Sequence, residues 1–292
     1  MSEFANQNLM PNKFSSESWV VLSPIERNIK SKVEQMGKPL KEWSISINYG
    51  IKTGLNEAFI IDRKTKDELI KKSPKNADII RPILRGRDIK RYEANFANLW
   101  LIATFPSKNY NIDDYPDIKE HLLSFGYDRL KQTGEIGSRK KTNNQWFETQ
   151  DSISYWDDFS KQKIVYPNMT KFLPFYYDDK GYFTNQKCFI ITGERIGFLA
   201  AFFNSILFRF CFRNNFPELF GDTRELSKIF FEQIPVIEID DSIDVDFTKL
   251  VKEISKMKIS EKSTEAIENQ IDQMVFDIYN LTLEEISFIN SR

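Results

Sequence analysis

A chain of 292 residues, 41% hydrophobic and 28% charged, has the balance of a globular protein and length for one large core or two ordinary ones. A formal net charge of −1 excludes a polycation that coats nucleic acid indiscriminately. Two cysteines and a single histidine exclude a disulfide framework and the common Cys/His zinc sites.

The charge is uneven. Residues 52–91 hold 12 Lys/Arg against 6 Asp/Glu, whereas residues 237–292 hold 6 against 13. In chain order, residues 1–17 are polar without an apolar period and read as a lead-in or linker. Ser23, Pro24 and Glu26 predict a capped helix start, with the helix running to Met36 and ending at Gly37. Trp43, Ile45 and Ile47 then alternate as in a strand. In Gly50-Ile51-Lys52-Thr53-Gly54, two glycines bracket a lysine, a pattern that permits a sharp turn and close approach to a ligand; a β-rich run over 58–61 follows. Thr65 and Glu68 predict a capping box for a helix through Lys72, stopped by Pro74.

Residues 81–91 carry Arg81, Arg85, Arg87, Lys90 and Arg91 against Asp88 alone, in a turn-rich stretch marked by Pro82 and Gly86. Guanidinium groups there suit phosphates and guanine edges, and a solvated charged surface is the competing reading. A buried strand is predicted over 99–104 and a helix over 113–129, in which His121 reads as structural. Residues 131–152 have loop composition: Gly134, Gly137, the cations Arg139, Lys140 and Lys141, the amides Asn143, Asn144 and Gln145, then Trp146 and Phe147. Such cations pair with phosphate or guanine and such amides with adenine, and a solvated loop is the alternative.

A strand over 163–167 ends at Asn168 and Lys171, both at a position suited to DNA contact, with an ordinary loop as the competing reading. Asp178-Asp179-Lys180-Gly181 predicts a hairpin between 172–177 and 183–191. Residues 194–213 read as one core helix, too short and too interrupted by Asn204, Ser205 and Arg209 to span a bilayer. A last strand over 230–237 precedes amphipathic acidic helices, the final one capped by Thr282 and Glu285. The predicted fold class is α+β, a mixed twisted sheet with packed helices followed by a C-terminal helical tail. The units are a lead-in and helix (1–37), a body (38–240) and the tail packing on it (241–292). Cys188 and Cys211 lie in apolar runs and read as buried free thiols, which fits a reducing cytoplasm; no secretory leader pattern opens the sequence.

Together these stretches are familiar. GIKTGLNEAFIID from Gly50 and IIRPILRGRDIKRY from Ile79 are followed in order by 100–104, Tyr115-Pro116-Asp117-Ile118-Lys119 and Trp146-Phe147-Glu148. KIVYPNM from Lys163, residues 188–191 and FLAAFFNSILFRF from Phe198 complete the set. From about residue 38 to the C-terminus the sequence resembles the TaqI-like C-terminal specificity domain. That domain is the target-recognition part of adenine-specific DNA methyltransferases and of single-chain type IIG restriction-modification enzymes. The resemblance implies a module that binds double-stranded DNA and aims a flipped adenine at a methylating site. It also implies methyltransferase and nuclease domains in the same or a partner polypeptide, with S-adenosylmethionine and Mg²⁺ held there and no cofactor in this chain.

The family's motifs mark the scaffold, so site roles rest on residue type and placement. Lys52, Arg85, Arg87, Lys90 and Arg91 are expected to hold backbone phosphates. Arg139, Lys140, Lys141, Asn143, Asn144, Gln145, Asn168 and Lys171 are expected to reach base edges in the major groove. The Asn-Pro-Pro-Tyr or Asp-Pro-Pro-Tyr tetrapeptide of the methylating family members, a dinucleotide glycine fingerprint and a P-loop are absent from the sequence, and no carboxylate–lysine set is placed as in a metal-dependent nuclease. A non-catalytic chain is therefore expected, as a piece of a longer enzyme or encoded apart from it. Two other readings stay open: a separate specificity subunit docking through its acidic tail, and a protein-interaction module of a phage-defence complex.

Overall fold

The computed structural model describes residues 22–292, so the polar segment 1–17 lies outside the described residues. Ser23 caps the first helix as its sequence predicts: its hydroxyl accepts from the Glu26 N–H, and the Glu26 carboxylate accepts from the Ser23 N–H at 2.7 Å. Helix α1 (Pro24–Met36) leads through β1 (Lys38–Pro39) to β2 (Ile45–Tyr49). Next come α2 (Asn56–Phe59), β3 (Ile60–Asp62), α3 (Arg63–Lys72), β4 (Ile80–Leu84), the ribbon β5 (Ile89–Lys90) and β6 (Glu93–Ala94), and β7 (Leu99–Ile102). Helices α4 (Pro116–Leu123) and α5 (Tyr127–Leu130) precede the long loop 131–152. After it come β8 (Lys163–Pro167), β9 (Met169–Thr170), β10 (Tyr176–Asp178), β11 (Phe183–Thr184) and β12 (Cys188–Gly193). The chain closes with α6 (Ile196–Asn204), α7 (Ile206–Phe212), β13 (Arg224–Glu225), α8 (Lys228–Phe231), β14 (Pro235–Val236), α9 (Asp241–Ile259), α10 (Glu265–Ile278) and α11 (Leu283–Asn290).

Two four-stranded sheets organise the α+β body, in the orders β10-β8-β12-β2 and β11-β4-β7-β3; the first is antiparallel and the second is mixed through the parallel β11–β4 pair. Side chains alternate across a strand, and the first sheet uses both faces. Ile164, Tyr166, Phe189 and Ile191 face one core, while Val165, Cys188 and Ile190 face another. The first core takes in α1, the wholly buried α6, and Phe247, Val251, Ile271 and Val275 of the tail helices. The second lies between the sheets and includes Ile83, Leu101, Ile118 and Phe159. The N-terminal helix and the tail thus share one core with the body.

Five local expectations change. Helix α3 starts at Arg63 because the Asp62 carboxylate accepts from the Thr65 N–H at 2.8 Å, which makes Asp62 the cap in place of Thr65. The helix predicted over 113–129 breaks into α4 and α5 at Gly126, whose φ of +94° no helix accommodates. The predicted hairpin does not form: β10 and β12 pair on opposite sides of β8, and β11 crosses to β4. The buried Asp178 makes that crossing, receiving the N–H groups of Lys180 and Tyr182 at 2.9 Å and the Lys163 ammonium at 2.5 Å. Burial lowers the Lys163 pKa, and Asp178 opposes the shift. Finally, the apolar run 194–213 is two helices bent by 71° at Ser205, whose hydroxyl accepts from the Phe208 N–H. The strand expected over 230–237 shrinks to β14, since Phe230 lies in α8. Among the described residues no single helix is long and apolar enough to cross a membrane.

Candidate nucleic-acid interface

The β5 turn, the end of β8 and α7 enclose an open groove of about 610 Å³. Arg85, Arg87, Lys90, Arg91, Lys171, Lys187 and Arg209 line it, and among the described residues the lining contains no carboxylate. Gly86 allows this close approach, because a Cβ there would stand 3.2 Å from the Lys187 carbonyl oxygen.

These cations are not equivalent. Arg85 donates twice to Asp88, from Nε at 3.0 Å and from Nη2 at 2.8 Å, and this pairing raises its pKa. Arg91 donates Nε and Nη2 to the Asn204 carbonyl and pairs with Glu268 of α10. Both are held by other groups of the protein and line the groove. Arg87, Lys90, Lys171 and Lys187 are exposed and form no ion pair among the described residues. Arg209 is the single charged residue in the run 196–212. Its pKa is lowered by burial and then by the neighbouring Arg91 and Arg213, with Asp272 opposing. In the sequence it read only as an interruption of an apolar helix, although a lone cation in such a helix was itself a signal. Lys187 carried no comparable signal.

The loop 131–152 is built differently. Arg139, expected to read a base, is 3% exposed. Its Nε donates to the Leu130 carbonyl at 2.8 Å, Nη1 to Thr53 at 2.8 Å and Glu148 at 2.7 Å, and Nη2 to Trp146 at 2.5 Å. Burial pushes its pKa down to about 10. A guanidinium so enclosed and so fully bonded fastens the loop, an arrangement that speaks against the base-reading role expected of Arg139. Gly54, at φ +77°, lies beneath it: a Cβ there would meet the Gln150 side chain at 2.3 Å and Arg139 at 2.8 Å. The loop thus docks on the Gly50-to-Gly54 turn, with the Gln150 N–H donating to the Lys52 carbonyl at 3.0 Å. Asn144 also turns inward, giving its amide to the Thr149 and Gln150 carbonyls at 3.2 and 2.9 Å and accepting from Ser152. That leaves Lys140, Lys141, Asn143 and Gln145 exposed at the surface, with Lys52 half-buried beside them.

The two regions are joined. Ile51 forms a parallel bridge to Asn185, and Gly50 packs so tightly there that a Cβ would sit 2.0 Å from the Asn185 carbonyl oxygen. Asn185 and Lys187 in turn line the groove. The Asn168 backbone is held at both ends, its N–H donating to the Lys187 carbonyl and its carbonyl accepting from the Leu226 N–H, while among the described residues its buried Oδ1 has no partner. His121 is structural in placement, with Nε2 3.1 Å from the Ala58 carbonyl and its pKa lowered by burial. Cys188 and Cys211 are buried free thiols, and burial raises both pKa values, that of Cys211 to about 12.

The sequence profile of the TaqI-like C-terminal specificity domain matches residues 81–236. Among solved structures, the type IIG restriction endonuclease BpuSI is similar over 87% of this chain, with 15% identity and a TM-score of 0.52. The type IIL restriction-modification enzyme MmeI, solved in complex with DNA, is similar over 87% of this chain with 12% identity and a TM-score of 0.54. At these identities the likeness is one of fold. The match covers 33% of the BpuSI chain and 36% of the MmeI chain, so this chain spans about a third of the length of either.

Proposed function

The chain belongs to the TaqI-like C-terminal specificity domain family, and from that premise we propose that it recognises a specific sequence in double-stranded DNA. The observation that carries this reading is the groove: exposed Arg87, Lys90, Lys171 and Lys187 converge there and, among the described residues, no carboxylate joins the lining. Such a surface suits a phosphate backbone, and its confinement to one face explains how a chain of net charge −1 binds a polyanion. Arg87, Lys90, Lys171, Lys187 and Arg209 hold phosphates and fix register. Lys52 supports the adjoining loop, from which Lys140, Lys141, Asn143 and Gln145 reach base edges in the major groove.

In this proposal the domain catalyses nothing itself. It positions a target adenine for a methyltransferase domain, with a nuclease domain alongside, in a longer polypeptide or a partner chain, and S-adenosylmethionine and Mg²⁺ belong to those parts. A cytoplasmic setting is part of the same proposal and keeps both thiols reduced. The test is selection from a randomised duplex library at two salt concentrations, with sequencing of what stays bound. An enriched motif of a few base pairs that persists at the higher salt supports sequence recognition. Binding that vanishes with salt and enriches nothing would count against it, and would favour a protein-interaction module docking through the acidic tail.

A further inference from the structure

Phe172 is 77% exposed, yet it lines the groove between Lys171 and Pro174. Exposing a large aromatic ring is unfavourable, and here the backbone enforces it. Leu173 holds a φ of +47°, which a branched side chain seldom adopts, while its own side chain is 3% exposed in the first core. On the other flank the Phe172 N–H donates to Thr170 Oγ1 at 3.1 Å, and Thr170 pairs with Arg224 across the β9–β13 ribbon. An anchored leucine and a paired strand therefore hold the phenylalanine outward among cations.

We infer that Phe172 is an apolar wedge that enters a base step of bound duplex DNA. This deepens the proposed function and rests on it. A ligand that satisfies the cations and covers the ring together must offer anions and aromatic faces at close spacing, as a nucleic acid does. Lys90 and Lys171 engage phosphates on either side, and the ring stacks on a partly unstacked base. The sequence reading missed the residue because Phe172 looks like any member of an apolar run; only the positive φ at Leu173 turns it out.

The test compares affinities of the full chain for random-sequence 30-base-pair duplexes and for the same duplexes carrying a central abasic site, where the unstacking is already done. Wild-type protein is expected to bind the abasic duplex about tenfold more tightly or better. Phe172→Ala is expected to lose that preference while keeping the salt dependence of binding, since no charge is removed; Phe172→Trp should restore it. An intact preference in Phe172→Ala, or none in the wild type, overturns the wedge while leaving DNA recognition standing if the salt dependence remains. Failure of the wild type to bind any duplex would overturn both.

Discussion

The groove and the loop 131–152 carry similar residue types and use them in opposite ways. In the groove, Arg87, Lys90, Lys171 and Lys187 are exposed and, among the described residues, without an ion-pair partner, on a wall stiffened by Arg85–Asp88 and Arg91–Glu268. In the loop, the most interaction-capable side chain, Arg139, faces inward and bonds four carbonyl groups. The groove leaves its cations unsatisfied, as a surface proposed to bind a polyanion should. A long loop without regular structure must instead satisfy its own backbone, and one guanidinium with five donors does so economically. Residue type alone does not separate these cases; the number of partners does.

The largest effect should come from removing the fastener. Arg139→Ala removes the guanidinium from four carbonyls, of which Glu148 keeps the Gln132 amide, and is expected to cost about 3 kcal/mol or more of stability, measured by urea unfolding. Binding should then fall on every sequence alike. Arg139→Lys should rescue little, because an ammonium cannot span the planar fork. Full stability in Arg139→Ala, with loss on a cognate site only, would return the residue to base reading.

How much of this was legible in the sequence follows from the range of the interactions. The caps at Ser23–Glu26 and Thr282–Glu285 are local patterns three residues apart, and both stand as read. The α+β class and the strand at Lys163–Pro167 also follow from local periodicity. The inward turn of Arg139 depends on Thr53, 86 residues away, and the crossing at Asp178 depends on Lys163 in another strand. Such long-range partners leave no periodic trace. The clustering of Arg87 and Lys90 was visible as a run, but its meeting with Lys171 and Lys187 is a product of β8 and β12 pairing side by side.

Next in size are the loop side chains that remain exposed. If Asn143 or Gln145 reads a base, its alanine variant should lose about 1–3 kcal/mol on the selected site and little on unrelated duplexes, with urea stability unchanged. Asn144→Ala should behave in the opposite sense, lowering stability because its amide bonds Thr149 and Gln150. Similar specificity losses for Asn143→Ala and Asn144→Ala, without destabilisation, would erase the distinction between outward and inward amides.

Groove cations should give uniform losses. Lys90→Ala or Lys187→Ala is expected to weaken every duplex and reduce the salt slope by about one. A sequence-dependent effect at either would break the division between groove and loop.

The smallest effect on the slope should be at Arg85, and it is the most discriminating of these tests. Arg85 sits in the same wall as Arg87, but its guanidinium is already neutralised by the buried Asp88, which a duplex phosphate would have to displace. Arg85→Gln should therefore change the salt slope less than Arg87→Gln, even though each removes one positive charge. Its cost should show in unfolding, because Asp88 is left enclosed without its partner. Equal slopes for the two variants would mean that DNA recruits Arg85 away from Asp88. Partner count in the unbound protein would then be a poor guide to which cations the nucleic acid uses.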